Sequence, residues 1–378
     1  MAFAGLLVIS HPGMSSAATD VPADVMPLLA DVSPVSIAAA AQSRDGQIVL
    51  ITSPRDDHGA ATLQRLVGKE LHPLLPAVAP SSNPGSGNTE AAGKGGASAP
   101  ASPPPPPVDP ASLRLASDGA LWVVDDGPPG GKAPPASARL LRIDADSGQV
   151  ADAIPLPPEM LRPHSRLGPL RFHKTHAYVA DIGAPGLLVV DLSARTVRRV
   201  LDDAPELSSR RPVEAKSAHD PTLSSIPMEV SPDGAWLFIQ PEAGPLVRLP
   251  TALLDDPETS AATLSAGIVF WFDTPAATGS AMMPDGTLLL DTRSDGLLAL
   301  SADRTLTPLL RDPRLAGDGT PFLRNDNKLL VPGVAGTGDG PAAGRTALFL
   351  LDPAALRSAA RRVAGEGTAQ GTETAPGP

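Results

Sequence analysis

The chain contains no cysteine, few aromatic residues and fewer basic than acidic side chains. The absence of cysteine excludes disulfides, thiolate catalysis and metal centres built on cysteine. With 30 basic against 41 acidic residues and a formal net charge of −11, the composition argues against nucleic-acid binding, which requires a basic face. No apolar run reaches the roughly 18 residues of a membrane-spanning helix. Three tryptophans, one tyrosine and seven phenylalanines form no evident aromatic cage for an amine ligand.

The apolar content is sufficient for a folded core, since 42% of the 378 residues are hydrophobic. Two segments lie outside the predicted folded domain at 19–362, and a third interrupts it. Residues 2–9 are apolar and small residues follow at 15–18, so 1–18 is a candidate signal segment, atypical because it lacks the usual basic start; the alternative is that the apolar run is simply a strand. The signal segment predicts a secreted or periplasmic protein. The Gly/Ser/Pro-rich stretch 77–107 is a predicted disordered insertion, and 363–378 a disordered tail.

The rest of the chain repeats one unit, in which a short strand is followed by a tight turn and a very apolar strand. Asp-Gly turns mark four of the copies, and their glycines suit the positive φ of a tight hairpin: Asp45-Gly46, Asp118-Gly119, Asp233-Gly234 and Asp285-Gly286. Two further copies keep the apolar strand, at Ala177–Ala180 and Lys328–Val331. Successive units begin roughly 40–50 residues apart once the insertion is set aside, a spacing typical of propeller blades.

We therefore predict an all-β fold, a six-bladed β-propeller of four-stranded antiparallel blades. The units begin near residues 35, 111, 167, 225, 277 and 319. The sixth unit lacks an evident fourth strand, and residues 21–32 could supply it, because an open strand edge invites aggregation.

Loops between the second and third strands share one face with the connections between blades, and we expect binding residues there. Acidic residues directly after the second strands give this face a predicted rim, although an aspartate in that position often only shapes a turn. The members of the rim are Asp125, Asp126, Asp181, Glu242, Asp291 and Asp295.

Five blocks of sequence stand out over about residues 110–333: Leu121–Gly127, Ala177–Asp181 with Gly186–Leu192, Arg198–Leu201, Ser231–Gly234 and Asp312–Leu315. In their composition and order these blocks resemble the major royal jelly protein and yellow family in its bacterial branch. The resemblance implies an exported six-bladed propeller. It also implies a link to pigment pathways or to the binding of small amines.

A related set of propellers, the gluconolactonase and senescence marker family, carries a catalytic divalent metal in the central channel. Hard cations of this kind bind oxygen ligands. By this resemblance, Met228 and Thr278 stand where two of those ligands are expected. We therefore expect no cofactor, and a divalent cation is possible but not favoured. The candidates for the channel are Arg166, Glu229, Thr278 and Asp318.

His164, His173 and His176 lie close together in sequence. They could include a metal pair, but His173 and His176 bracket a predicted turn and a third ligand is not evident.

Two hypotheses follow. The first is a non-catalytic propeller that binds a small molecule or a protein at its loop face. The second is a metal-dependent hydrolase acting on lactone-type substrates, and the replaced ligand positions make the enzyme the less favoured of the two. The sequence assigns neither a specific ligand nor an oligomeric state.

Overall fold

The computed structural model describes residues 26–33, 35–54, 61–74, 107, 109–127, 137–204, 207, 226–241, 243–292, 296–315, 320–337 and 344–360. The predicted signal segment and tail lie outside these residues, as does the predicted insertion apart from Pro107. In the described part, no helix is long and apolar enough to cross a membrane.

Six four-stranded antiparallel sheets make up the fold, which confirms the predicted six-bladed propeller. Strand β1 (Leu28–Asp31) precedes the first complete blade. Blade 1 contains β2 (Val35–Gln42), β3 (Ile48–Pro54), β4 (Thr62–Val67) and β5 (Glu70–Pro73). Blade 2 contains β6 (Pro110–Leu115), β7 (Leu121–Asp125), β8 (Arg139–Ile143) and β9 (Val150–Pro155). Blade 3 contains β10 (Leu167–His173), β11 (His176–Asp181), β12 (Gly186–Asp191) and β13 (Thr196–Val200).

The other three blades follow the same order. Blade 4 contains β14 (Met228–Val230), β15 (Trp236–Ile239), β16 (Leu246–Pro250) and β17 (Val269–Phe272). Blade 5 contains β18 (Gly279–Met282), β19 (Leu288–Thr292), β20 (Gly296–Leu300) and β21 (Leu306–Leu310). Blade 6 contains β22 (Phe322–Leu323), β23 (Leu329–Val334) and β24 (Thr346–Leu351). Helices α1 (Thr251–Asp255) and α2 (Ala261–Gly267) separate β16 from β17; the sequence pattern gave no indication of them.

The ring is closed by the chain's own beginning. Strand β1 pairs antiparallel with β24 and forms the outer edge of blade 6. Ala30 of this strand is 1% exposed, whereas Leu28 is 48% exposed. This confirms, for Leu28–Asp31, the prediction that residues 21–32 supply the missing strand.

The turns between first and second strands define one face, which we call the Asp-Gly face. In each Asp-Gly turn the glycine has a positive φ, between 73° and 97°, a conformation that side chains oppose. The aspartate stabilises the turn by a hydrogen bond to its backbone: Asp118 Oδ1, for example, accepts the Ala120 amide at 2.9 Å. In blade 6 Asn327 takes the place of glycine with a φ of 60°. The opposite face is the loop face.

The core lies between neighbouring blades. The second strands of blades 2, 3 and 5 are almost completely buried along both faces of the sheet, so they read as continuous apolar runs. The first strand of each blade lies innermost. These six strands contact one another in chain order, and β22 meets β2 to complete the wall of a central channel.

Candidate functional site in the central channel

The channel wall is polar on one side and apolar on the other. Inner-strand residues that alternate along each strand line it, because successive side chains of a strand point to opposite faces. The polar side is formed by Ser112, Arg114, Arg171, Glu229, Thr278 and Ser280, and the apolar side by Ala38, Ala40 and Phe322.

A buried ion pair occupies the middle of the channel. Arg171 Nε donates to Glu229 Oε2 at 2.9 Å and Arg171 Nη2 donates to Oε1 at 2.5 Å. This two-point contact matches the planar guanidinium to the carboxylate. Ser280 Oγ donates to Glu229 Oε1 at 3.2 Å. Glu229 is 1% exposed and Arg171 6%, so the pair is largely removed from water.

Arg114 is a second guanidinium beside the same carboxylate. Its Nη2 lies 3.4 Å from Glu229 Oε2, and its side chain is 28% exposed. Burial, followed by repulsion from Arg171, lowers the pKa of Arg114 to about 10, and Glu229 offsets this only in part. Arg114 stays protonated at neutral pH. The three residues therefore carry a net charge of +1.

The channel opens into a cavity at each face. The cavity on the Asp-Gly face has a volume of about 390 Å³, and the one on the loop-face side about 190 Å³. Arg114 and Arg171 line both cavities, so the guanidinium groups separate the two mouths. Among the described residues the larger opening is on the Asp-Gly face, opposite the loop face on which the sequence analysis expects binding residues.

Two of the predicted rim residues hold their own loops together. Asp125 is fully buried, pairs with Arg139 at 2.9 Å and accepts the Asp109 amide at 2.8 Å. Asp181 is equally buried, pairs with Arg199 at 2.8 Å and accepts the amides of Arg166, Gly183 and Ala184. Carboxylates with this many protein partners have little capacity left for a ligand. Both carboxylates therefore shape their loops, which is the alternative to ligand binding given for these aspartates in the sequence analysis.

Asp126 lies beside them, and its pKa is raised. Both of its carboxylate oxygens accept the Leu167 amide, at 3.1 and 3.2 Å. Burial raises the pKa of Asp126 to about 7, and the charges of Asp109 and Asp181 contribute in the same direction. Its role is to join blades 2 and 3.

Arg166 is not the arginine of the channel. It is exposed on the loop face just before β10, and its backbone amide donates to Asp181 Oδ1 at 3.0 Å. Arg171 lines the channel instead. A bulge between Leu167 and Leu170 shifts the register of β10, and this irregularity has no signature in the sequence.

Thr278 lines the loop-face cavity, and its hydroxyl donates to the Asp291 carbonyl at 3.2 Å. Asp291 is 1% exposed, and neither carboxylate oxygen has a hydrogen-bond partner. Burial raises the pKa of Asp291 well above its ordinary value; the Thr278 hydroxyl and the Thr292 amide lie near the carboxylate without reaching hydrogen-bond geometry, and they offset this rise only in part. The remaining candidates, Glu242, Asp295 and Asp318, lie outside the described residues.

The donors in the channel do not fit a divalent cation. Glu229 is the one carboxylate among the described channel-lining residues, and Arg171 already occupies both of its oxygens. Two guanidiniums beside it would repel a cation, which in the case of Ca²⁺ takes six to eight oxygen ligands. Met228, expected from the resemblance at a ligand position, is fully buried in the apolar core between blades 3 and 4, so its side chain faces away from the channel.

Two of the three clustered histidines join a polar network at the Asp-Gly face. His173 Nδ1 lies 2.7 Å from Asp255 Oδ2, and Tyr178 donates to Asp255 Oδ1 at 2.5 Å. His176 Nδ1 is 3.4 Å from the same carboxylate. In the described part, no group of three or more His, Asp or Glu side chains is arranged to hold a metal. The network ties helix α1 to blade 3.

Comparisons with known proteins agree with this architecture. The family model described as major royal jelly protein matches residues 111–238, which form blades 2 and 3 and the first two strands of blade 4. Together with the six blades, the match confirms the resemblance to royal jelly and yellow proteins. No curated protein sequence matches the chain significantly.

Solved structures share the fold at low identity. The calcium-binding protein regucalcin from Agrobacterium tumefaciens has a TM-score of 0.53 and 14% identity, over 86% of this chain and 92% of that one. A gluconolactonase from Xanthomonas campestris has a TM-score of 0.51 and 13% identity, over 86% of this chain and 89% of that one. These similarities concern the propeller fold.

Proposed function

We propose that this royal-jelly-like propeller binds a small carboxylate in its central channel, with Arg114 as the residue that holds the ligand. The observation that carries the proposal is the excess of one positive charge in the channel group of Arg114, Arg171 and Glu229. Arg171 is saturated by its two-point contact with Glu229. Among the described residues Arg114 has only a 3.4 Å contact with Glu229, and it faces both cavities, so its donors are available to a ligand.

The same charge balance disfavours an amine. A cationic ligand would approach two guanidiniums and would have to displace one of them to reach Glu229. Placing like charges next to each other in an interface costs roughly several kcal/mol. The amine ligands that the family resemblance implies are therefore not those that this channel favours. Binding, rather than metal-dependent hydrolysis, agrees best with the donors present.

Calorimetric titration tests the proposal with two probes of similar length and opposite charge, succinate and 1,4-diaminobutane. We expect succinate to bind the wild-type protein and the Arg114→Gln variant to bind it at least tenfold more weakly. The matched control is Arg166→Gln, which removes an exposed arginine outside the channel and should leave the affinity unchanged. Tighter binding of the diamine than of succinate, or equal succinate affinity in wild type and Arg114→Gln, would contradict the proposal.

We also propose that the protein is exported, on the basis of the apolar run at 2–9 and the small residues at 15–18. Cell fractionation of the full chain and of a variant without residues 2–18 provides the test. Retention of both in the cytoplasm would exclude export through this segment.

A further inference from the structure

A third cavity, of about 380 Å³, lies between blades 4 and 5, beside the mouth of the channel on the Asp-Gly face. It shares part of its wall with the channel cavity on that face, at Ser231, Pro232, Met282 and Pro284. Its lining differs from that of the channel because it brings together two of the chain's three tryptophans. Trp236, Arg248 and Trp271 form one side, and Met282, Leu288 and Leu300 contribute apolar surface.

Arg248 is stacked between the two indole rings. Its guanidinium carbon lies 3.8 Å from the Trp236 ring centroid and 3.9 Å from that of Trp271. The sheet register produces this arrangement, since Arg248 lies opposite Phe238 on one neighbouring strand and Val269 on the other. Trp236 lies two residues before Phe238 and Trp271 two residues after Val269, so both are within the diagonal reach of a long side chain.

The positive charge of Arg248 has no carboxylate partner among the residues that the structure describes. Its Nε is buried without a hydrogen-bond partner, and a second guanidinium, Arg304, lies 5.2 Å from the Trp271 ring centroid. Burial, and then repulsion from Arg304, lower the pKa of Arg248.

Two aspartates on the cavity rim are already engaged elsewhere. Asp285 pairs with Arg357 at 2.7 Å, and Asp233 accepts the Ala235 amide of its own turn at 3.0 Å. The guanidinium is thus stacked between two indole rings, partly desolvated and without a carboxylate partner in the described part of the chain.

We propose that this cavity is a binding site for a small ligand that carries a carboxylate on a flat apolar body. The terminal nitrogens of Arg248 would receive the carboxylate, because a guanidinium matches its two oxygens. The indole edges and the surfaces of Met282, Leu288 and Leu300 would contact the apolar body. We expect no amine to bind here, since Arg248 itself occupies the indole faces that would attract a cation. The inference does not depend on the channel function.

Tryptophan fluorescence reports directly on the site, because Trp236 and Trp271 flank Arg248 and only Trp122 lies elsewhere. We expect 2-naphthoate to change the emission in a saturable manner, and 2-naphthylmethylamine, with the same rings and the opposite charge, to cause no saturable change. The affinity for 2-naphthoate should fall at least tenfold in Arg248→Gln. Arg248→Lys, which keeps the charge and loses the two-point geometry, should weaken binding as well, and it serves if the first variant fails to fold.

The Arg114→Gln variant separates this site from the channel. It should retain the 2-naphthoate affinity while losing that for succinate. Any of three results overturns the proposal. The first is that 2-naphthoate gives no saturable change, and the second is that every Arg248 variant that folds binds it with wild-type affinity. The third is that Arg114→Gln abolishes its binding. The last outcome would place the probe in the channel.

Discussion

Removing Arg171 should destabilise the protein strongly, because it would leave the buried Glu229 carboxylate without its main partner. In an Arg171→Met variant, Glu229 would keep Ser280 at 3.2 Å and Arg114 at 3.4 Å, but it would lose both short contacts. Loss of one partner from a buried ion pair typically costs about 3–5 kcal/mol. A domain with a typical stability of about 5–15 kcal/mol would remain folded but with a clearly reduced margin.

The double variant Arg171→Met with Glu229→Met should recover much of this loss. Apolar residues of similar volume often replace a buried ion pair at no cost, or with a gain of about 1–4 kcal/mol. Arg114 is less affected by the change because its side chain is 28% exposed. We therefore expect the double variant to be at least about 2 kcal/mol more stable than Arg171→Met alone, which is about two thirds of the smallest loss expected for the single change.

Urea unfolding followed by tryptophan fluorescence measures these differences. Equal slopes of the free energy against urea would show that the variants unfold between comparable states. The reasoning would be refuted if Arg171→Met lost less than about 1 kcal/mol, the value of an exposed ion pair. It would also be refuted if the double variant were the least stable of the three proteins.

Two further predictions concern the pH dependence of stability and the closure of the ring. Asp291→Asn should stabilise the protein by about 1–3 kcal/mol at pH 7.5, since it removes an unpartnered buried carboxylate. Because the folded-state pKa of Asp291 is raised, its contribution favours the fold below the unfolded pKa of about 3.9 and is lost as pH rises through the folded pKa. The advantage of the variant should therefore vanish at pH 3.5, and an equal gain at both pH values in urea unfolding would contradict this account. Ala30→Asp buries a charge in strand β1, so it should release that strand and produce aggregates in size-exclusion chromatography. The control is Leu28→Asp, at an exposed position of the same strand, which should stay monomeric. Identical behaviour of the two variants would show that β1 does not seal the ring.

The fold could be predicted because its determinants are local and repeated. The Asp-Gly turns and the apolar second strands recur in the sequence, and the observed inner strands begin within three residues of the predicted unit starts at 35, 111, 167, 225, 277 and 319. Closure by the chain's beginning followed from the missing fourth strand of the sixth unit. None of these steps depends on the direction in which a particular side chain points.

The channel residues depend on that direction, and there sequence reasoning was less accurate. A shift of one residue along a strand exchanges the channel side for the core side. Met228 was therefore placed at a ligand position although it packs in the core, while its neighbour Glu229 lines the channel. Substituting Met228 by asparagine would place a polar group in the core rather than build a metal site.

The aromatic site between blades 4 and 5 was missed for a different reason. Trp236, Arg248 and Trp271 come from three strands, and only the pairing register brings them together. The signal that could have found the site is the position of Arg248 within an otherwise apolar third strand, Leu246–Pro250, between two strands that each carry a tryptophan.

The charges of the channel are not explained by the needs of folding. Burying an ion pair is weak support for stability, because apolar residues usually serve as well, and blade 1 in fact lines its share of the same channel with Ala38 and Ala40. The protein as a whole carries a net charge of −11, so a channel with an excess positive charge is also not a consequence of composition. Arg114 and Arg171 project from neighbouring inner strands toward one carboxylate that can neutralise only one of them. A bound anion would neutralise the other. This uncompensated positive charge, more than the depth of the cavity, favours a carboxylate as the ligand.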